Sequence, residues 1–110
     1  MITPKRLVAG AALTNTLVTY YTTTAPVSSA TTKQLLLCNT DTVARTFTMN
    51  VIPPAGAASV SNTLFSAVTI QPGETKVFGL TDVMPVGYFL QAKADAGAVV
   101  SMTISGMENT

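Results

Sequence analysis

From Arg45 to Ile52 apolar and polar residues take turns: Phe47, Met49 and Val51 alternate with Thr46, Thr48 and Asn50, and the run halts at Pro53-Pro54. A period of two puts one set of side chains on each face of an extended strand, whereas a helix would scatter them around its axis. Proline lacks a backbone N–H and fixes its own φ, so the pair ends any central strand. The same alternation returns at Leu90, Ala92 and Ala94 against Gln91, Lys93 and Asp95, and at Val100, Met102 and Ile104 against Ser101, Thr103 and Ser105. Leu17-Val18-Thr19-Tyr20-Tyr21 has the β-branched and aromatic content of another strand. The faces so defined predict a core of Leu37, Phe47, Met49, Val51, Ile70, Leu90, Val100, Met102 and Ile104.

Turn chemistry divides these runs. In Gln71-Pro72-Gly73-Glu74, proline presets the second position of a type II turn and glycine supplies the positive φ required at the third, so Val68–Ile70 should turn into Thr75–Phe78. Met84-Pro85-Val86-Gly87 is a second turn. Asn39-Thr40-Asp41-Thr42 and Asp95-Ala96-Gly97 read as tight antiparallel hairpin connections. Residues 22–32 and 53–60 read as loops, and Ser61–Phe65 could open a short helical turn. The sum is an all-β chain, an antiparallel β-sandwich or jelly roll of about seven to eight short strands. With 110 residues, one domain is expected.

The residue types restrict the chemistry. There is no histidine, and charged residues make up only 10% of the chain. Proton transfer near neutral pH calls on histidine, paired carboxylates or an activated thiol. Asp41, Glu74, Asp82, Asp95 and Glu108 each lie in or beside an expected turn or chain end, as solvated residues do. No phosphate-binding glycine loop, zinc motif or nucleophile elbow is present. The reading is therefore not an enzyme, with no cofactor and no metal. Cys38, the only cysteine, cannot form an internal disulfide, and its place in Leu35-Leu36-Leu37-Cys38 makes it a small buried hydrophobe.

A net charge of +1, with Lys5, Arg6, Lys33, Arg45, Lys76 and Lys93 dispersed, gives no field to gather nucleic acid or anionic lipid. Near-neutrality with a surface of Thr, Ser and Ala suits packing against other proteins instead. The apolar part of Met1–Leu13 is at the short limit of a signal peptide and far too short to span a membrane, and it reads as a first strand. Within it, residues 1–7 are a candidate extended arm, because Pro4 opposes regular pairing and Lys5 and Arg6 could meet an acidic partner. Neighbours on a strand face opposite ways, so one of Tyr20 and Tyr21, and one of Tyr88 and Phe89, should point away from the core. Lys5, Arg6, Tyr20, Tyr21 and Tyr88 are accordingly the candidate protein-contact residues.

The segments Lys33–Thr40, Val43–Pro53, Ser61–Phe65, Val68–Thr75, Gly87–Ala92 and Val100–Glu108 together resemble the small β-sandwich virion proteins of tailed bacteriophages, over roughly residues 14 to 108. The likeness is one of strands and turns rather than of an invariant motif. It implies a capsid decoration (cement) protein, made in the host cytoplasm and placed on the virion head. Such a protein stabilises the head by binding across major capsid subunits as a homo-oligomer, for example a trimer. A tail or fibre-attachment component is the alternative within virions, and a carbohydrate- or receptor-binding module the alternative outside that class. The resemblance carries no catalytic residues with it.

Overall fold

Eight strands and one short 3₁₀ turn account for the chain in the computed structural model, which describes residues 1–110. In order they are β1 (Ile2–Ala12), β2 (Val18–Thr22), β3 (Ser29–Asn39), β4 (Arg45–Ile52), the 3₁₀ turn Val60–Asn62, β5 (Thr63–Ile70), β6 (Thr75–Pro85), β7 (Phe89–Ala94) and β8 (Val100–Asn109). They form two four-stranded sheets, β1-β8-β3-β6 and β2-β7-β4-β5, and every neighbouring pair is antiparallel. Sequence neighbours mostly lie in opposite sheets, which makes the fold an eight-stranded jelly roll rather than a stack of hairpins.

Between the sheets lies a cluster of 16 buried apolar residues, contributed by inward-facing positions of both. Eight of the nine core residues expected from alternation are fully buried. Val51 is the exception. It packs against the cluster but is only half-buried, because it also lines a cleft open to solvent. Its neighbour Asn50, expected outside, is instead buried beneath residues 53–62, and so is Ile52. The Asn50 side-chain amide donates to Ser59 O, Asn62 Oδ1 and Thr63 Oγ1, which ties that loop down over the outer face of β4.

Two of the connections read as hairpins are corners between sheets. β3 leads into β4, and β7 into β8, in the opposite layer. At the first corner the buried Asn39 amide donates to Val43 O at 2.9 Å and Ile70 O at 3.0 Å while its oxygen accepts from Asp41 N. Arg45 then closes the turn on the Asp41 carboxylate, Nη2 lying 2.6 Å away. The Gln71–Glu74 turn forms as expected, with Gly73 at φ 69° and Glu74 N donating to Gln71 O, but it too crosses between sheets. The one hairpin of consecutive paired strands is β4–β5, across the loop that begins at Pro53. The turn near residue 85 is centred one residue later than expected: Tyr88 N bonds Pro85 O with Gly87 at φ 92°.

β-Bulges alter which side chains share a face. In β3 the register shifts between Thr32 and Gln34 against both neighbours, so Ala30 and Thr32 point inward before it and Leu35, Leu37 and Asn39 after it. This phase leaves Cys38 half-buried on the outer face, opposite Thr75 and Ser101, rather than buried in the core. In β1, residues 2–6 pair continuously with β8 and Pro4 stands opposite Met107. Proline is tolerated there because β1 is an edge strand, so the candidate arm is the first half of a strand.

Candidate functional site

The sequence-selected contact residues divide between two flanks of the sandwich. On the flank where β1 and β2 are the edge strands, Tyr21 of one sheet reaches Glu108 of the other: its hydroxyl donates to Glu108 Oε2 at 2.6 Å. Lys5, on β1, pairs with the same carboxylate at 3.3 Å. Arg6 lies one residue further along β1, exposed, opposite Ser105 and outside both ion pairs of the chain. Tyr20 occupies the bulge between Thr19 and Tyr21. A bulge turns two successive residues toward the same side. Tyr20 and Tyr21 are therefore both half-buried against the core, and neither points away as strict alternation requires.

On the other flank, where β5 and β6 are the edges, a cleft of about 420 Å³ opens between the sheets. It is lined by Val51 at the end of β4, the loop that follows (Pro53, Ala57, Ser59), the 3₁₀ turn (Ser61, Asn62), the start of β5 (Leu64), Asp82 and Val83 of β6, and Tyr88. Most of the polar loop groups are already engaged. Asn62 accepts from Ser59 N and donates to Ala57 O, and the Ser59 and Ser61 hydroxyls bond each other. Asp82 is different: its Oδ2 is buried with no hydrogen-bond partner, and burial pushes its carboxyl above the ordinary aspartate value. Gly87 brings Tyr88 to this place. A side chain at 87 would collide with the Pro54 ring, Cγ at 2.7 Å, and the φ there is positive. Of the adjacent pair, Tyr88 packs against the core cluster and Phe89 faces the other way, opposite Ile52.

This fold recurs in a viral particle. A chain from the infectious bursal disease virus Gx strain superposes with a TM-score of 0.53 at 13% identity, covering 98% of these residues and 30% of its own. The VP2 subviral particle of the same virus gives 0.51 at 10% identity, covering 98% and 32%, and the T13 IBDV viral particle 0.53 at 9%, covering 96% and 30%. The chain thus spans about a third of the length of the chains it matches, and at these identities the likeness is one of fold. No family model and no curated protein matches the sequence.

Two carboxylates read as turn or end residues are strand residues with structural partners or surroundings of their own. Glu108 lies in β8 with 14% of its side chain exposed, and Asp82 lies in β6. The signal for Asp82 was available: Phe78, Leu80, Asp82 and Met84 continue one alternation, which puts the carboxylate on the inward face. No three acidic, cysteine or histidine side chains cluster as a metal site would require. The Tyr21–Glu108 bridge has a pH signature. Burial first, then the hydrogen bond to Glu108 and its charge, push the Tyr21 phenol above the usual 10.0. A folded-state value above the unfolded one means that the native state keeps its proton longer, so stability falls as pH rises through and beyond 10. We expect the stability difference between wild type and Tyr21→Phe, measured by urea denaturation, to shrink between pH 9 and pH 11. Parallel curves would show that the bridge does not hold the proton. Glu108 acts oppositely: the Tyr21 hydroxyl, with Lys5, holds it below the usual glutamate range, so its contribution is present at neutral pH and lost on acidification.

Proposed function

We propose that the chain is a non-enzymatic structural subunit of a virion, one domain over residues 1–110, that works by packing against neighbouring subunits. The observation that carries this reading is the strand order β1-β8-β3-β6 over β2-β7-β4-β5, an architecture used by viral capsid domains and aligned here with viral-particle chains over nearly all of these residues. The surface supports it. Thr75, Val77, Gly79, Thr81 and Val83 form an exposed, uncharged row along the outer side of β6, and Leu36, Cys38, Ser101 and Thr103 extend it across β3 and β8. An uncharged row of this kind can be desolvated against a partner at little electrostatic cost.

Within that reading we propose a head decoration (cement) protein of a tailed bacteriophage, bound across major capsid subunits as a homo-oligomer. This finer assignment rests on the resemblance of residues 14 to 108, since the matched particle chains come from infectious bursal disease virus. The mechanism is mechanical: apolar and backbone surface buried across a junction between shell subunits resists their separation. A tail or fibre-attachment component would use the same fold with a different partner. Jelly rolls also serve as lectin domains, and Tyr88, which lines the cleft, gives the glycan-binding alternative its one specific support.

Purified protein mixed with isolated heads, tails and undecorated shells distinguishes these readings. Binding to shells in numbers comparable with the major shell protein, with greater resistance of the shells to heat, is the expected result. A handful of copies retained on tails would move the protein to the tail, and binding to host glycans with no affinity for any particle fraction would reject the subunit role.

A further inference from the structure

We propose that the cleft between β5 and β6 receives an arginine side chain from a neighbouring protein subunit, with Asp82 as its carboxylate partner. The subunit reading above supplies the identity of the partner; the chemistry of the cleft stands apart from it. Asp82 lines the cavity together with Val51 and Tyr88, and the exposed Leu64 and Val83 border it. Its buried Oδ2 accepts no hydrogen bond, and the chain's two ion pairs, Lys5 with Glu108 and Arg45 with Asp41, lie elsewhere. A carboxylate taken partly out of water is costly, and a cation whose N–H donors reach the other oxygen, Oδ1, which is not sealed off and has no partner, offsets that cost.

Arginine fits the remaining features. Its guanidinium pairs with a carboxylate and stacks on an aromatic ring, as Tyr88 allows, while its methylene stem lies along apolar walls. The volume of about 420 Å³ is within the range of roughly 300–1,000 Å³ typical of ligand cavities and holds one such side chain. The position favours a protein source over a free amine. The cleft opens where β5 and β6 are both unpaired edges, and Leu64 and Val83 are 40% and 54% exposed beside it. A partner segment that pairs with either edge points alternate side chains at the sandwich, and one of them enters the cleft.

The test uses Nα-acetyl-arginine methylamide as the probe, followed by amide chemical shifts of the intact chain. Saturable shifts at millimolar probe, confined to residues around Asp82, Leu64 and Tyr88, are expected. The citrulline analogue, which has the same shape without the charge, should bind about tenfold or more weakly, and Asp82→Asn should weaken arginine binding by a similar factor. Asp82→Asn should fold at least as well as wild type at neutral pH, because it removes a desolvated charge. Equal binding of the arginine and citrulline probes by the wild type, stronger shifts with a neutral methyl glycoside, or no saturable shift with arginine would each overturn the proposal, and none of these depends on the variant. Failure of the probe with retained binding to shells would sink the cleft and leave the subunit reading intact; binding of the probe with no affinity for particles would do the reverse.

Discussion

Replacing Phe47 with alanine is expected to lower the unfolding free energy by about 3–5 kcal/mol, read as a fall in the urea midpoint with little change in slope. Phe47 is fully buried near the middle of β4. Its ring lies 5.9 Å from that of Phe65 on β5, and Phe65 lies 4.9 Å from Phe78 on β6, both pairs tilted. Because β4 and β5 belong to one sheet and β6 to the other, this row of rings joins the layers on the flank that also holds the cleft. Truncation removes the transfer energy of the ring, leaves a cavity and breaks the contact with Phe65. Phe47→Leu, which keeps most of the volume, should lose less than about 1.5 kcal/mol. An unchanged midpoint in the alanine variant would mean that the cluster does not hold the sheets together.

The contrast between Phe47 and Tyr20 shows how far the sequence could be read. Alternation placed Phe47, Met49, Leu90, Met102 and Ile104 correctly because β4, β7 and β8 carry no inserted residue of their own; the register shifts beside them put the extra residue in the partner strand. It failed at Tyr20 and Tyr21, where Tyr20 is the inserted residue, whereas Cys38 was read as buried from its apolar run although alternation from the buried Leu37 puts it outside. An added residue shifts the phase, and nothing in the local sequence marks the insertion, because the space for it comes from the partner strand. Turn chemistry had a similar limit. Pro72-Gly73 predicts the reversal of the chain, yet the same reversal can return a strand to its own sheet or carry it to the other. Which occurs is decided by the packing of both layers, and here it is fixed in part by Asn39 bonding Val43 and Ile70.

The two flanks were legible to different degrees for the same reason. Lys5 and Tyr21 stood out individually, but Glu108, which joins them, is 103 residues from Lys5 and 87 from Tyr21. The cleft needed Asp82 to be recognised as an inward strand residue. A reading that ended the strand at Phe78 could not find it, whereas β6 extends to Pro85 because it pairs with β3 on both sides of the bulge.

Gly106→Ala is expected to destabilise by about 3 kcal/mol, although it adds a single methyl group. Gly106 is buried in β8, between Lys5 of β1 and Thr32 of β3. A Cβ at this position would overlap the Thr31 carbonyl oxygen and press on Leu7 Cδ1 at 3.2 Å. Both partner strands are irregular nearby, with register shifts between Arg6 and Val8 in β1 and between Thr32 and Gln34 in β3, and the glycine makes room for both. The Thr31 carbonyl has little freedom to retreat, since β3 is paired on its far side with Val83 and Asp82 of β6. The added methyl must therefore part β8 from β3, weakening the ladder that holds the two central strands of the sheet together. Gly79→Ala supplies the comparison: it lies exposed on the edge strand β6, where an added Cβ would meet nothing within 4 Å, so it should change stability by no more than about 0.5 kcal/mol. Urea midpoints separate the two variants, and hydrogen exchange should show protection lost first at the β8 amides around residue 106. Equal midpoints for Gly106→Ala and Gly79→Ala would show that the sheet yields at this point, and that the close approach of β3 to β8 is not what the glycine maintains.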